Sequence, residues 1–281
     1  MIISVASGKG GTGKTTIAIN LALSLPHSQL LDCDVEEPNA HIFLKPTIER
    51  TEEITVYNPL IDKEKCTNCG FCAEACEFNA LVALPTDIIF FKELCMGCKA
   101  CEILCPEKAI SEQRFIVGEL SIGKAHNIDF VNGLLDIGVP RGIPVIQAVK
   151  DRIKKDTVAI LDAPPGNSCP VIETINESDF CILVTEPTPF GLYDLSIAVE
   201  VVRSLEIPFG IIINRDGMGN DPSVENYCKE EKIPILMKIP FEKKIAEAYS
   251  EGKALVEIQP EWKEKFQKLY QEIERSVKTN G

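Results

Sequence analysis

Eight cysteines lie between residues 66 and 105 in a repeated arrangement, Cys66-x-x-Cys69-x-x-Cys72-x-x-x-Cys76 and Cys95-x-x-Cys98-x-x-Cys101-x-x-x-Cys105-Pro106. Thiolates are soft ligands, and three of them so closely spaced can grip one face of an iron–sulfur cubane. Zinc sites more often use paired C-x-x-C dyads than runs of this form. A second chemistry is written near the N-terminus. Gly8-Lys9-Gly10-Gly11-Thr12-Gly13-Lys14-Thr15 fits the phosphate-loop pattern G-x-x-x-x-G-K-[ST], between an apolar run and a helical one. Its glycines let backbone N–H groups wrap phosphates, and the helix N-terminus adds a favourable dipole. Lys14 then reaches the β- and γ-phosphates and the Thr15 hydroxyl ligates Mg²⁺. The candidate nucleotide contacts are therefore Gly8, Gly10, Gly11, Thr12, Gly13, Lys14, Thr15 and Thr16. Asp162 closes the apolar run Ile160-Leu161, where a carboxylate can hold Mg²⁺ through water, although a strand-end Asp read alone is more often a turn or cap residue.

These residues need a scaffold. Short runs rich in aliphatic and β-branched residues read as buried strands at Ile2–Ala6, Gln29–Asp32, Thr157–Asp162, Phe180–Thr185, Phe209–Asn214 and Ile235–Ile239. Between them, Thr15–Leu25 and Leu192–Leu205 have helical spacing. Alternating strand and helix predicts an α/β fold, a mostly parallel sheet with helices on both faces, binding ligands at the carboxyl ends of its strands. From residue 60 to residue 111 the pattern changes to cysteine, glycine and short turns, and then reverts. The expected division is a nucleotide-binding domain of residues 1–59 and 112–281, with a small inserted α+β module of residues 60–111. In the last stretch, Trp262, Phe266, Leu269, Tyr270, Ile273 and Val277 share one helical face. The opposite face mixes Glu and Lys instead of being basic throughout, which predicts docking on the protein's own core and not on a membrane surface.

The segment Ser7–Thr15, SGKGGTGKT, resembles the deviant Walker loop of the MinD/ParA/Mrp and nitrogenase iron-protein superfamily of P-loop ATPases. The resemblance implies ATP/ADP and Mg²⁺ as ligands, a homodimer on ATP binding, and Lys9 crossing to the partner's nucleotide. Leu31-Asp32-Cys33-Asp34-Val35-Glu36-Glu37-Pro38-Asn39 looks like the family's switch I, and Ile160–Gly166 like its switch II. By that likeness Asp34 positions or activates the attacking water, Asp32 supports the magnesium shell and Asp162 holds the metal. Asn214, ending another strand, resembles the base-contacting position, and an amide suits an adenine edge. Lys9, Lys14 and Asp34 are thus the expected catalytic residues.

The cysteine repeat resembles the two-cluster bacterial ferredoxins, in which the fourth cysteine of each run serves the other cluster. Two [4Fe–4S] clusters are expected, one on Cys66, Cys69, Cys72 and Cys105, the other on Cys95, Cys98, Cys101 and Cys76. Glu77 stands where a proline often follows the fourth cysteine, and Pro106 keeps that proline in the second run. Cys33, Cys169, Cys181 and Cys228 remain. Cys181, inside an apolar strand, reads as core packing, and Cys228 carries no signal. Cys169 lies seven residues after Asp162, the interval of a cluster ligand in the nitrogenase iron protein, and a symmetric dimer would pair two copies of it. The segment Val117–Asn127, VGELSIGKAHN, also looks like this family but gives no role.

The formal net charge is −13, from 42 acidic and 29 basic residues, with no Lys/Arg run, so nucleic acid is not an expected partner. No apolar stretch approaches the roughly 20 residues of a membrane span, and the N-terminus has no secretory pattern, so a cytoplasmic location is expected. The leading expectation is an ATPase that couples nucleotide state to electron transfer or metallocofactor maturation with a redox or maturation partner protein. The alternative is a positioning ATPase like MinD or ParA whose clusters are structural or sensory.

Overall fold

The computed structural model describes residues 1–219 and 221–280. The chain opens with β1 (Ile2–Ala6), α1 (Lys14–Ser24), β2 (Ser28–Asp32), α2 (Ala40–Leu44) and a long strand β3 (Thr47–Ile61). The cysteine-rich stretch follows, with α3 (Phe71–Glu74), β4 (Leu81–Leu84), β5 (Asp87–Phe90) and α4 (Ala100–Leu104). Then come β6 (Ile110–Ala125), β7 (Ile128–Leu135), α5 (Ile143–Lys150), β8 (Val158–Asp162), α6 (Cys169–Ile175) and β9 (Phe180–Thr185). The chain ends with α7 (Pro189–Ser204), β10 (Phe209–Asp216), α8 (Ser223–Glu230), β11 (Ile235–Pro240), α9 (Lys243–Ser250), α10 (Leu255–Ile258) and α11 (Glu261–Asn280).

Nine of the described strands form one sheet in the order β11-β10-β9-β1-β8-β2-β7-β6-β3. The pairings from β11 through β7 are parallel, and β7-β6 and β6-β3 are antiparallel. The apolar strands bury alternate residues on opposite faces. On one face Ile3, Val5, Leu30 and Ile160 pack against Ile17 and Leu21 of α1 and against Trp262, Phe266, Leu269 and Ile273 of α11. On the other, Leu31, Ala159 and Leu161 meet Val145 and Val149 of α5, and Leu183 and Ile211 meet Leu195 and Val199 of α7. The final helix therefore docks on the core, as its mixed polar face indicated.

All six strands expected from apolar runs are present. Three others, β3, β6 and β7, were not legible as strands. β3 (TIERTEEITVYNPLI) lies at the sheet edge with most side chains in solvent, so no apolar run marks it. In β7 the pair Asn132-Gly133 reads as a turn but sits mid-strand. The segment Val117–Ala125, which carried no role in the sequence, forms the sheet-bound half of β6.

β3 and β6 pair from Thr47↔Lys124 to Ile61↔Ile110, with irregularities at Ile48/Arg50 and Ile54/Thr55 that bend the ladder. The cysteine-rich stretch hangs from the far end of this hairpin. It is thus held by two continuous strands and not by flexible linkers.

Candidate functional site

The phosphate loop joins β1 to α1 at the carboxyl edge of the sheet. Gly13 adopts φ +98°, and a Cβ there would strike the Asn214 side-chain amide, so no larger residue fits. No side chain caps α1, which leaves its first-turn N–H groups free for an anion. Gly10, Gly11, Gly13, Lys14, Thr15 and Thr16 line an open cleft of about 350 Å³, together with Asp34, Glu37, Asn39, Pro165, Asn214 and Arg215. Its far wall comes from the β11–α10 region, including Phe241, Ile245, Tyr249 and Lys253, none of which the sequence had marked. Gly8 and Thr12 support the loop from behind. A Cβ on Gly8 would overlap the backbone of Asp194, and Thr12 is 2% exposed with its carbonyl accepting from Asn214 Nδ2 at 2.7 Å.

The carboxylates divide by what they already hold. Asp32, fully buried, accepts from the backbone N–H groups of Asp34 (3.2 Å), Asn39 (3.1 Å) and Ala40 (3.0 Å), and so orders the loop it begins. Burial nonetheless pushes it up to about 7, with the N–H of Ala40 opposing. Asp162 is also fully buried, but neither carboxylate oxygen has a hydrogen-bond partner. The Thr15 side chain and Lys14 favour its ionised form without the hydroxyl closing a hydrogen bond, while burial and the Asp32 charge push it far upward. An orphaned buried carboxylate beside a Thr hydroxyl at a phosphate loop fits a divalent cation. Asp34 is partly buried and raised to about 6 by desolvation, with Lys14 opposing that rise. It is a carboxylate in the cleft with a pKa near the working range of a general base.

Asn214 stands in the cleft wall with its amide occupied. It donates to Thr12 and accepts from the N–H of Arg215 at 2.9 Å, so its first role is to brace the phosphate loop. Lys9 does not line the cleft. Its ammonium pairs with Glu186 at 3.3 Å, and Glu186 also binds the guanidinium of Arg215. Glu186, which the sequence reading missed, follows the apolar strand β9, the same strand-end placement that singled out Asp32 and Asp162.

The eight cysteines gather around two cavities. One is lined by Cys66, Cys69, Cys72 and Cys105 with Ile61, Ile88 and Ile110. The other is lined by Cys76, Cys95, Cys98 and Cys101 with Tyr57, Phe78, Phe90 and Lys99. Each run gives its first three cysteines to one cavity and its fourth to the other, the division expected from the spacing. The halves match in backbone too, with left-handed residues at Asn68, Gly70 and Asn79 in one and at Gly97, Lys99 and Lys108 in the other. Equivalent amides meet the crossing thiols, Ala80 N–H to Cys76 Sγ and Ala109 N–H to Cys105 Sγ, both at 3.3 Å. Among the described residues no three His, Cys, Asp or Glu converge on a single-ion site. Four thiols around each of two cavities, with amide donors to sulfur, fit a pair of cubane clusters.

Of the other cysteines, Cys181 and Cys228 are buried, with thiols pushed up to about 12 and about 11 by desolvation, as core residues should be. Cys33 is buried between Asp32 and Asp34, and Cys169 is exposed at the first turn of α6.

A parallel sheet with a phosphate loop at its carboxyl edge and two strand-end aspartates beside it defines a P-loop nucleotide-binding ATPase. The chain belongs to the family described as the CobQ/CobB/MinD/ParA nucleotide-binding domain, which matches residues 3–256. It is 32% identical to an uncharacterized protein of Methanocaldococcus jannaschii, over 91% of each chain. It is 23% identical to the iron–sulfur cluster carrier protein of Pyrococcus horikoshii, covering 90% of this chain and 78% of that one. Among solved structures it resembles the septum site-determining protein MinD of Pyrococcus horikoshii, complexed with Mg-ADP. That likeness has a TM-score of 0.60 at 22% identity, over 100% of this chain and 98% of the other. None of the described helices is long and apolar enough to cross a membrane.

Proposed function

We propose that this ATPase works as an ATP-gated homodimer carrying two [4Fe–4S] clusters, and that it couples nucleotide state to electron transfer or metallocofactor maturation. The observation that supports this most is the partition of the eight cysteines around two matched cavities, mounted rigidly on the β3–β6 hairpin of the ATPase sheet. Residues 60–111 then form the cluster module and residues 1–59 and 112–281 the ATPase proper. Cys66, Cys69, Cys72 and Cys105 hold one cluster, and Cys76, Cys95, Cys98 and Cys101 the other. Bound clusters supply one-electron storage at the tip of the hairpin.

At the other end, Lys14 and the phosphate-loop amides hold the phosphates, Thr15 and Asp162 hold Mg²⁺, and Asp32 fixes the loop carrying Asp34. Asp34 orients the attacking water and takes its proton. Lys9 leaves Glu186 to reach the partner's phosphates when two copies close. Loss of the γ-phosphate contact releases the Asp34 loop, the kind of order change by which nucleotide switches signal.

The test is anaerobic reconstitution followed by iron analysis and EPR with and without ATP. About eight irons per chain and an ATP-dependent change in cluster reduction or transfer are expected. Nucleotide-indifferent clusters would point to the other reading, a positioning ATPase like the MinD neighbours, which liposome and DNA co-sedimentation with ATP would then identify. Against that reading, the final helix already buries Trp262, Phe266 and Ile273 on the core.

A further inference from the structure

The two cysteine cavities are not equivalent in their surroundings. The one holding Cys66, Cys69, Cys72 and Cys105 is walled by Ile61, Ile88 and Ile110 and opens beside exposed Phe71 and Leu104. The one holding Cys76, Cys95, Cys98 and Cys101 has a polar side, where Lys99 stacks over the Tyr57 ring at 5.0 Å. Behind Cys95 lies Arg141, a residue that neither the spacing of the cysteines nor the nucleotide motifs single out.

Arg141 is 7% exposed and comes from outside the cysteine-rich stretch, in the loop between β7 and α5. Its Nη1 donates to the Cys95 carbonyl, and its Nη2 donates to Asn58 Oδ1 at 3.3 Å, while Nε has no partner. A buried guanidinium whose hydrogen-bond acceptors are a carbonyl and a side-chain amide oxygen, and not a carboxylate, is costly to keep. Its other neighbour in the chain is Gly142. A Cβ on Gly142 would lie 3.3 Å from Val35 Cγ2, so the glycine lets Val35 sit directly against this loop. Val35 is 2% exposed, and its carbonyl accepts from the Leu135 N–H at 2.8 Å, tying it to the end of β7. Val35 is bonded to Asp34, which lines the nucleotide cleft.

A short run of contacts therefore joins the cleft to the cavity of Cys76, Cys95, Cys98 and Cys101: Asp34–Val35, Gly142–Arg141, then Cys95. Resting on the proposed function, we infer that Arg141 is the positioning residue through which the nucleotide loop acts on the cluster site of Cys76, Cys95, Cys98 and Cys101. That site is then the nucleotide-responsive one. Two physical effects add. Reduction adds negative charge to a cluster, so a buried cation near its ligand loop favours the reduced form. Movement of Val35 shifts Gly142, and with it the distance from the guanidinium to the Cys95 loop.

The experiment is an EPR-monitored redox titration of the reconstituted full chain, with and without Mg·ATP, on wild type, Arg141→Gln and Arg141→Lys. In Arg141→Gln the reduction equilibrium of one cluster should shift about tenfold against reduction, about 59 mV for a one-electron couple, with the other unchanged. ATP should no longer move it. If Arg141→Gln loads only half its iron, Arg141→Lys decides. A potential near wild type with the ATP response lost supports the inference, because an ammonium keeps the charge without spanning both acceptors. Two unchanged midpoints in Arg141→Gln, or a retained ATP response in Arg141→Lys, overturn it. A wild-type protein that fails to hold about eight irons defeats the proposed function itself, whatever Arg141 does.

Discussion

Asp32 and Asp162 stand opposite each other in register on β2 and β8, each the last residue of its strand and each without solvent exposure. Asp32 has its oxygens tied to its own loop and Asp162 has none tied at all. One carboxylate organises its loop and its neighbour is buried without a hydrogen-bond partner.

This pairing sets a pH dependence. Burial raises both groups, Asp32 to about 7 and Asp162 well upward, so the folded chain keeps protons that the unfolded chain has released. Stability from the pair is full below about pH 4 and drains away as pH rises to neutrality, by about 1.4 kcal/mol per unit for each retained proton. The melting temperature of the nucleotide-free protein should therefore fall between about pH 5 and pH 7. Asp162→Asn, or saturating Mg·ADP, should flatten that slope. A wild-type melting temperature that rises over the interval would contradict the assignment.

Lys14 is 6% exposed, and its charge bears on both Asp34 and Asp162. Lys14→Ala should abolish nucleotide-induced stabilisation, which for an intact site at 100 times Kd is about 2.7 kcal/mol. On the proposed role of Asp34 in ordering the attacking water, Asp34→Ala should keep that thermal shift and lose turnover. Equal loss of both properties in Asp34→Ala would return this residue to a binding role.

The crossing of the fourth cysteine gives a stoichiometric prediction. Cys101→Ser strips one ligand from the cavity that also holds Cys76, and Cys72→Ser strips one from the cavity that also holds Cys105. Each variant should fall from about eight irons to about four, with a different EPR signal surviving in each. Complete loss of iron in both would mean that the cavities do not load independently.

Much of this was legible because the chemistry is local. A phosphate loop needs consecutive glycines and a lysine, and a cubane needs thiols at fixed intervals, so both appear as motifs. The six apolar strands were legible because parallel central strands are buried on both faces. β3 escaped because its first half is exposed and charged, and its buried apolar side chains, Ile54 and Tyr57, are too few to mark a run. Arg141 and Glu186 escaped for another reason. Each is a lone charge whose partners are distant in sequence, Cys95 at a separation of 46 residues, Lys9 in the phosphate loop and Arg215 near the end of β10. Only Glu186 left a trace, as a charge immediately after a buried, largely apolar strand.

The α11 helix gives a stability prediction independent of any ligand. Phe266 is fully buried between α1 and the sheet, 6.4 Å in ring-centroid distance from Trp262. Phe266→Ala should cost about 3–5 kcal/mol in unfolding free energy, the range for deleting a buried aromatic ring. Chemical denaturation measures it, and a loss below about 1 kcal/mol would mean that α11 contributes little to the core.

The Lys9–Glu186 pair yields the last prediction. In the single chain Lys9 is held by a carboxylate that Arg215 also binds, so its ammonium is parked beside its own cleft without lining it. On the proposed crossing role, dimer closure exchanges that ion pair for the partner's phosphates, and the buried Glu186 carboxylate makes release of Lys9 a restraint on closure. Lys9→Ala should lower turnover by on the order of 10³, the scale of a cation supplied across an interface, while nucleotide binding persists. Glu186→Gln should act oppositely on association, because a neutral amide holds the ammonium less strongly. Turnover would then rise steeply at a lower protein concentration than in wild type. ATPase activity measured against protein concentration reads both effects. Full activity in Lys9→Ala would remove the crossing role, and an unshifted onset in Glu186→Gln would mean that the ion pair does not restrain dimer formation.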